Sequence, residues 1–408
     1  MYYERSLSKL IKIITETFPV LLLTGPRQVG KTTLLEHLKE KKRGYVTLDD
    51  LDERELAKTD PALFLQRHKP PVIIDEVQYA PELFTQIKII VDKEKKNGLF
   101  WLTGSQKFEL MSGVSETLAG RVGICEVLGL SQQEIHNSSQ DSRPFLPTAN
   151  YISSAFSDKK NSKDLLQIYH DIWRGSFPKI VADLKVPRDV FYSSYIQTYL
   201  QRDVRDLSKI GQLLTFQRFL KVAAARTGQL INYADMARDV DVDPKTVKEW
   251  VSILETSGLI YLLQPYHNNL TNRLIKTPKL YFLDTGLCSY LTGWSSPEAL
   301  ESGSMSGAIL ETYVVSEILK TYLYSGIRPN FFYYRDKEHH EIDLLIEFDQ
   351  TIYPIECKKT ATPSLSASKN FHILDKLKVK RGHGIIFCFK DKPVALSKEI
   401  TALPISYI

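Results

Sequence analysis

The chain has 408 residues, 43% of them hydrophobic and 25% charged, an ordinary globular composition with room for two or three domains that excludes an extensively disordered chain. With 53 Lys and Arg against 48 Asp and Glu the net charge is +5, a mildly basic balance that permits a nucleic-acid partner without demanding one. Four cysteines (Cys125, Cys288, Cys357 and Cys388) stand far apart with no CxxC spacing, which argues against a zinc knuckle or a disulfide framework and for a reducing compartment.

The opening MYYERSLSKL lacks the basic start and apolar core of a signal peptide, and no apolar run approaches the roughly 18 residues that span a bilayer. The expectation is a soluble, cytoplasmic protein without membrane contact. The first motif follows at once. VLLLTGPRQVGKTTLL (20–35) reads as a short apolar strand, a loop bounded by Gly25 and Gly30, and a helix opened by Lys31, Thr32 and Thr33, fitting GxxxxGK[ST]. Glycines let backbone N–H groups wrap phosphate oxygens, and the helix N-terminus adds its dipole. Lys31 reaches the β- and γ-phosphates, and the Thr32 hydroxyl is placed for Mg²⁺.

A second strand, in PPVIIDEVQYAPEL (70–83), ends in Asp75, a Mg²⁺ partner, with Glu76 beside it to polarise the attacking water. An acid so placed favours hydrolysis over phosphoryl transfer to a small molecule. A third strand, LFWLTGSQ (99–106), ends in Thr103 and Ser105, polar groups suited to sensing a γ-phosphate as in the sensor-1 strand of AAA+ proteins. In LAGRVG (118–123), Arg121 stands between glycines as a candidate arginine finger, against the plainer reading of an intrachain ion pair. Arg27, Arg202 and Arg205 are lesser candidates for phosphate or sensor-2 roles.

Residues 137–163 are rich in Ser, Asn and Pro and read as a connector or decorated loop. Helical periodicity resumes in NYADMARDVDVDPKTVKEWVSILETSGLIYLLQPY (232–266): a helix, a turn capped by Asp243 with Pro244 at the first helical position, and a second helix ending at Gly258 before a strand. This is a winged-helix outline. Lys245 and Lys248 open the second helix, and Arg273, Lys276 and Lys279 follow, a candidate DNA-facing surface.

In EIDLLIEFDQTIYPIECKK (341–359), two alternating runs flank Asp349 and Gln350, good residues for a hairpin turn. With those two as the loop, Phe348 pairs with Thr351 and Asp343 falls opposite Glu356, with Lys358 further along the same face. The other face holds Ile342, Leu344, Ile346 and Phe348 against Tyr353, Ile355 and Cys357, which makes Cys357 a core residue. Two adjacent carboxylates resist joint ionisation unless a cation lies between them, and an all-oxygen set suits Mg²⁺. Asp343 with Glu356-Cys357-Lys358 resembles the D…ExK signature of the PD-(D/E)XK nuclease superfamily. The resemblance implies a further acid from the preceding helix, GAILETYVVSEILKTYL (307–323), where Glu311 and Glu317 are both available.

Along nearly the whole chain, TGPRQVGKTTLL, IIDEVQ, LTGSQ, LAGR, YLQRDV and TPKLYFLDTGLCSYLTG resemble bacterial and archaeal AAA+-type ATPases with a C-terminal domain of unknown function. The resemblance implies an α/β chain: a P-loop AAA+ ATPase core (1–135), a helical lid or connector (136–205), a winged-helix region (206–300) and an α/β restriction-endonuclease-like domain (301–408). It implies ATP and Mg²⁺ as cofactors. The catalytic set is then Glu76, Arg121, Asp343, Glu356 and Lys358; the nucleotide set is Gly25, Gly30, Lys31, Thr32, Thr33, Asp75 and Ser105. The function expected is ATP hydrolysis by a homo-oligomer, a ring being one form, that acts on DNA. The alternative is a signalling or scaffold NTPase with an inactive nuclease-like domain.

Overall fold

A computed structural model describes residues 2–104, 117–136, 143–158, 162–199, 213–266, 277–377 and 379–408. The amino-terminal part is a parallel sheet of β1 (Val20–Thr24), β2 (Gly44–Thr47), β3 (Val72–Asp75), β4 (Phe100–Gly104) and β5 (Val122–Glu126), in the order β2-β3-β4-β1-β5. Strands covered on both faces read as continuous apolar runs, and β1 (VLLLT) is buried at every position. Its alternate side chains enter two different cores: Val20 and Leu22 pack with Phe64, Phe84 and Phe100, while Leu21 and Leu23 pack with Trp101, Cys125 and Val127. β4 lies between β1 and β3, so the strand ending in Asp75 is one strand removed from the strand that leads into the P-loop.

The middle of the chain contains helix Leu213–Ala225, β6 (Gln229–Leu230), helices Tyr233–Val240 and Pro244–Thr256, then β7 (Ile260–Pro265) and β8 (Lys279–Phe282), β8 pairing antiparallel with both β6 and β7. The turn between the last two helices forms as its residue types require: Asp243 accepts from the Lys245 and Thr246 N–H groups, Pro244 sits in the first turn, and Gly258 at φ +72° ends the second helix. Residues 143–158, expected as connector, contain a helix, Ala149–Ser157, capped by the Thr148 side chain. Phe145 anchors this segment: it is buried, and its N–H donates to the Thr321 hydroxyl.

The carboxy-terminal part adds a long helix, Ser306–Tyr324, then β9 (Phe331–Arg335), β10 (Glu341–Phe348), β11 (Thr351–Cys357), β12 (Lys380–Arg381), β13 (Gly384–Cys388), β14 (Val394–Ser397) and β15 (Ile400–Pro404). β9 pairs parallel with β7 through Gln264–Phe332 and Pro265–Tyr333, so one sheet runs from the middle segment into the carboxy-terminal one, in the order β14-β15-β13-β11-β10-β9-β7-β8-β6. That continuity brings residues of β8 beside the long helix and the β10–β11 hairpin. Among the described residues no helix is long and apolar enough to cross a membrane.

Candidate functional site

The P-loop is shaped by two glycines. Gly25 has φ +143°, and a Cβ there would lie 2.0 Å from the Val127 carbonyl oxygen, so the loop backs directly onto the chain after β5. Gly30, at φ +88°, turns the chain into the helix Lys31–Leu38, whose amino-terminal N–H groups and dipole form an anion site. Lys31 is buried and lays its ammonium across the loop, donating to the carbonyls of Gly25 (2.9 Å) and Pro26 (2.8 Å). Thr32 donates to both carboxylate oxygens of Asp75, at 3.2 and 3.0 Å. Thr33 is on the exposed side of the helix.

Asp75 collects more hydroxyls than its motif announces. The Tyr45 hydroxyl, from β2, donates to it at 3.1 Å, and the Thr103 hydroxyl at the end of β4 donates to it as well. Burial and the Asp75 charge push the Tyr45 phenol well above its usual range. Glu76 has φ +56° and its N–H donates to Thr103 Oγ1 at 3.4 Å; its carboxylate accepts from the Gln78 amide. Tyr45 carries no sequence signal and reaches Asp75 because β2 lies beside β3 in the sheet, whereas Gln78, in the IIDEVQ stretch, reaches Glu76 from the 3-10 turn that follows β3.

Of the two readings of Arg121, arginine finger or intrachain ion pair, the single chain contains the ion pair. Its guanidinium forms a two-point ion pair with Asp92, Nε to Oδ1 at 2.6 Å and Nη2 to Oδ2 at 3.0 Å, and its carbonyl accepts from the Val20 N–H at the start of β1. It therefore stands at the opposite end of the sheet from the P-loop of its own chain, paired with Asp92 at the surface. Ser105, Arg202, Arg205, Arg273 and Lys276 lie outside the described residues.

The second cluster is built on the β10–β11 hairpin. Asp349 and Gln350 both have positive φ, +46° and +58°, as a two-residue type I′ turn requires. Pairing runs from Phe348–Thr351 to Leu344–Ile355, and Asp343 Oδ2 accepts the Cys357 N–H at 2.9 Å. The alternation expected for the apolar face breaks at one point. β10 bulges against β9 between Ile342 and Leu345, which swings Ile342 out of the large core containing Leu344, Ile346 and Ile355 and into the smaller one with Leu345 and Ile352. Phe348, assigned to that face, is 44% exposed at the hairpin tip.

Lys358 donates to Glu356 Oε1 at 2.6 Å, while Glu356 Oε2 is buried without a partner. Burial and the Asp343 charge push the Glu356 carboxyl up to about 8. Glu311 accepts from the Tyr281 hydroxyl at 2.6 Å and the Lys279 ammonium at 3.0 Å, and burial followed by the Asp343 charge pushes it up to about 7. Glu317 does not join this group. Six residues further on, it faces the other side of the helix, where it pairs with Lys320 at 2.6 Å and accepts the Gln132 N–H at 2.9 Å. Lys279, read as DNA-facing, is 2% exposed and pairs with both Glu311 and Glu341. Lys279 and Tyr281 belong to a strand of the middle segment, so no local pattern announces them as part of this cluster.

Three family models match in tandem: an AAA domain over residues 17–136, a domain of unknown function (DUF8612) over 166–298 and another (DUF4143) over 306–408. The uncharacterized proteins Mb2031c of Mycobacterium bovis and Rv2008c of Mycobacterium tuberculosis are each 32% identical over 361 residues, which are 88% of this chain and 74% of theirs. A Walker-type ATPase of Pyrococcus abyssi, 15% identical, aligns over 71% of this chain and 96% of its own with a TM-score of 0.43. The AAA match spans the P-loop, Asp75, Glu76 and Thr103, so the chain is an ATP-binding P-loop ATPase of the AAA class. With that extent of identity, it belongs to one family with the two mycobacterial proteins.

Proposed function

We propose that this ATPase acts on DNA, that Mg²⁺ accompanies ATP at Thr32 and Asp75, and that its carboxy-terminal carboxylates form a divalent-metal site of the nuclease type. At the P-loop, the hydroxyl of Thr32 and the carboxylate of Asp75 already meet, an all-oxygen pair suited to Mg²⁺. Glu76, beside Asp75, polarises the attacking water. DNA contact draws support from the helix–turn–helix at 233–256 followed by the β7–β8 pair, a winged-helix outline, with Lys245 and Lys248 exposed on the second helix.

The observation that carries the nuclease reading is Glu356 Oε2, a buried carboxylate oxygen without a partner in the same cluster as Asp343. Such an atom costs free energy unless a cation or proton meets it. Asp343, Glu356 and Glu311 would hold the ion, which when bound supplies Lewis-acid activation of water and phosphate. Lys358, at Glu356, is placed to orient the water.

A second reading has its own observation: Lys279 already neutralises Glu311, and Lys358 meets Glu356, as in a cluster that holds two segments together without metal. The discriminating experiment is Mg²⁺- and Mn²⁺-dependent cleavage of branched, single-stranded and duplex DNA, with and without ATP, by wild type and by Asp343→Ala/Glu356→Ala. Metal-dependent cutting lost in the double variant is the expected result. No cutting by either protein, with ATP turnover intact, would leave the carboxylates a structural junction and the protein a scaffold NTPase.

A further inference from the structure

Arg5 precedes every motif in the chain, yet its guanidinium is engaged in four directions. Nε donates to Glu134 Oε1 at 3.0 Å, Nη1 to the Val29 carbonyl at 2.9 Å, and Nη2 to the Leu128 carbonyl at 2.9 Å and the Tyr324 hydroxyl at 3.2 Å. The residue is 5% exposed. Glu134 is itself fixed, accepting from the N–H groups of Ser6 (2.8 Å) and Ser131 (2.9 Å). Tyr324, the last residue of the long helix, donates to the Gly129 carbonyl.

Val29 is the P-loop residue immediately before Gly30. In a planar trans peptide the C=O of one residue and the N–H of the next point to opposite sides. With the Val29 carbonyl drawn outward onto Arg5, the Gly30 N–H turns toward the concave side of the loop, where phosphate oxygens are held by backbone donors. A carbonyl turned inward would set partial negative charge against the phosphates.

We infer that Arg5 is a positioning residue for ATP binding and hydrolysis: it locks the Val29–Gly30 peptide in the orientation that offers N–H to the nucleotide. A guanidinium suits the task because its planar fork grips the Val29 and Leu128 carbonyls at once and binds Glu134 with a third donor. A lysine ammonium is a single point and cannot span them. The inference rests on the ATPase assignment alone and is independent of the carboxylate cluster. Through Tyr324 the carboxy-terminal part supplies one wall of the same node.

The test uses the full chain, with ATP KM and kcat, affinity for a fluorescent ATP analogue, and melting temperature measured in parallel. Arg5→Lys keeps a cation for Glu134 and is expected to raise KM and the analogue Kd at least tenfold with a smaller change in kcat. Should Arg5→Lys fail to fold, Arg5→Met/Glu134→Gln removes both charges together and leaves none buried alone; the same tenfold loss is expected. Glu134→Gln by itself is expected to lower the melting temperature while leaving KM within twofold, because the Val29 contact remains. A folded Arg5 variant with wild-type KM and analogue affinity would overturn the inference. So would Glu134→Gln weakening ATP binding as much as the Arg5 variants, since loss of stability alone would then account for the effect.

Discussion

Lys279 and Glu311 form an ion pair of 3.0 Å in which the lysine is 2% exposed, joining β8 of the middle segment to the long helix that follows. The carboxy-terminal carboxylates thus carry an internal cation delivered by a different part of the chain. Removing Lys279 withdraws the charge that lowers the Glu311 carboxyl, so the buried acid is left short of a hydrogen-bond partner and takes up a proton. Lys279→Met is expected to lower stability by about 1–3 kcal/mol at neutral pH, the cost of a buried polar group that loses its partner, and Lys279→Met/Glu311→Leu to recover most of it. Urea unfolding of both variants checks this; equal losses in the two would show that the pair contributes packing rather than charge.

The raised carboxyls set a pH dependence. Folding lifts Glu311 to about 7 and Glu356 to about 8, above the range of an unfolded glutamate. A group whose folded pKa is raised adds stability fully below its unfolded pKa, near 4.3, and loses it as pH climbs through the folded value. In chelator, the melting temperature is expected to fall between pH 5 and 8 more steeply for wild type than for Glu356→Gln. Parallel curves would mean that Glu356 does not titrate in this window.

At the nucleotide site, Lys31→Ala is expected to abolish ATP binding, since the buried ammonium is the loop's own cation. Glu76→Gln should keep ATP affinity while lowering kcat by roughly 10²-fold or more, the usual effect of losing a group that handles the water's proton. Steady-state turnover with analogue binding separates the two. Normal turnover in Glu76→Gln would assign water activation elsewhere.

Gly25→Ala places a Cβ 2.0 Å from the Val127 carbonyl oxygen, a backbone atom that cannot swing aside. Weaker ATP binding and a lower melting temperature are expected. Gly307→Ala is the contrast: nothing lies within 4 Å of its Cβ position, and the site is helical. There the exchange should be neutral or stabilising by about 0.5–1 kcal/mol. Thermal melts of both variants decide; similar losses would refute the steric account of Gly25.

Arg121→Ala is expected to leave ATP turnover of the dilute protein within twofold, because the guanidinium is paired with Asp92 and lies at the far end of the sheet from the P-loop. Assays across protein concentration test this. A loss of turnover that appears only on self-association would show that the Asp92 pair opens at a subunit contact.

What the sequence by itself determined is what short-range geometry controls. The P-loop lies in one strand–loop–helix unit, and its glycines and Lys31-Thr32 are close neighbours in sequence. The hairpin register, Phe348–Thr351 to Leu344–Ile355, follows from a period of two and a two-residue turn, which is why Asp349 and Gln350 were enough to place it. The Asp243–Pro244 helix start has the same local character. Tertiary structure alone decided that Glu311 and not Glu317 faces the hairpin carboxylates, because helical spacing offers both and only the position of β8 brings Lys279 and Tyr281 to one of them. It decided the fate of Ile342 through a bulge made against β9, and that of Arg121 through Asp92 on another element. Arg5 is the extreme case: its partners lie 24 residues away at Val29 and 319 away at Tyr324. Contacts of that separation leave no periodicity in the sequence, since they are set by how whole layers pack and not by the dihedral preferences of neighbouring residues.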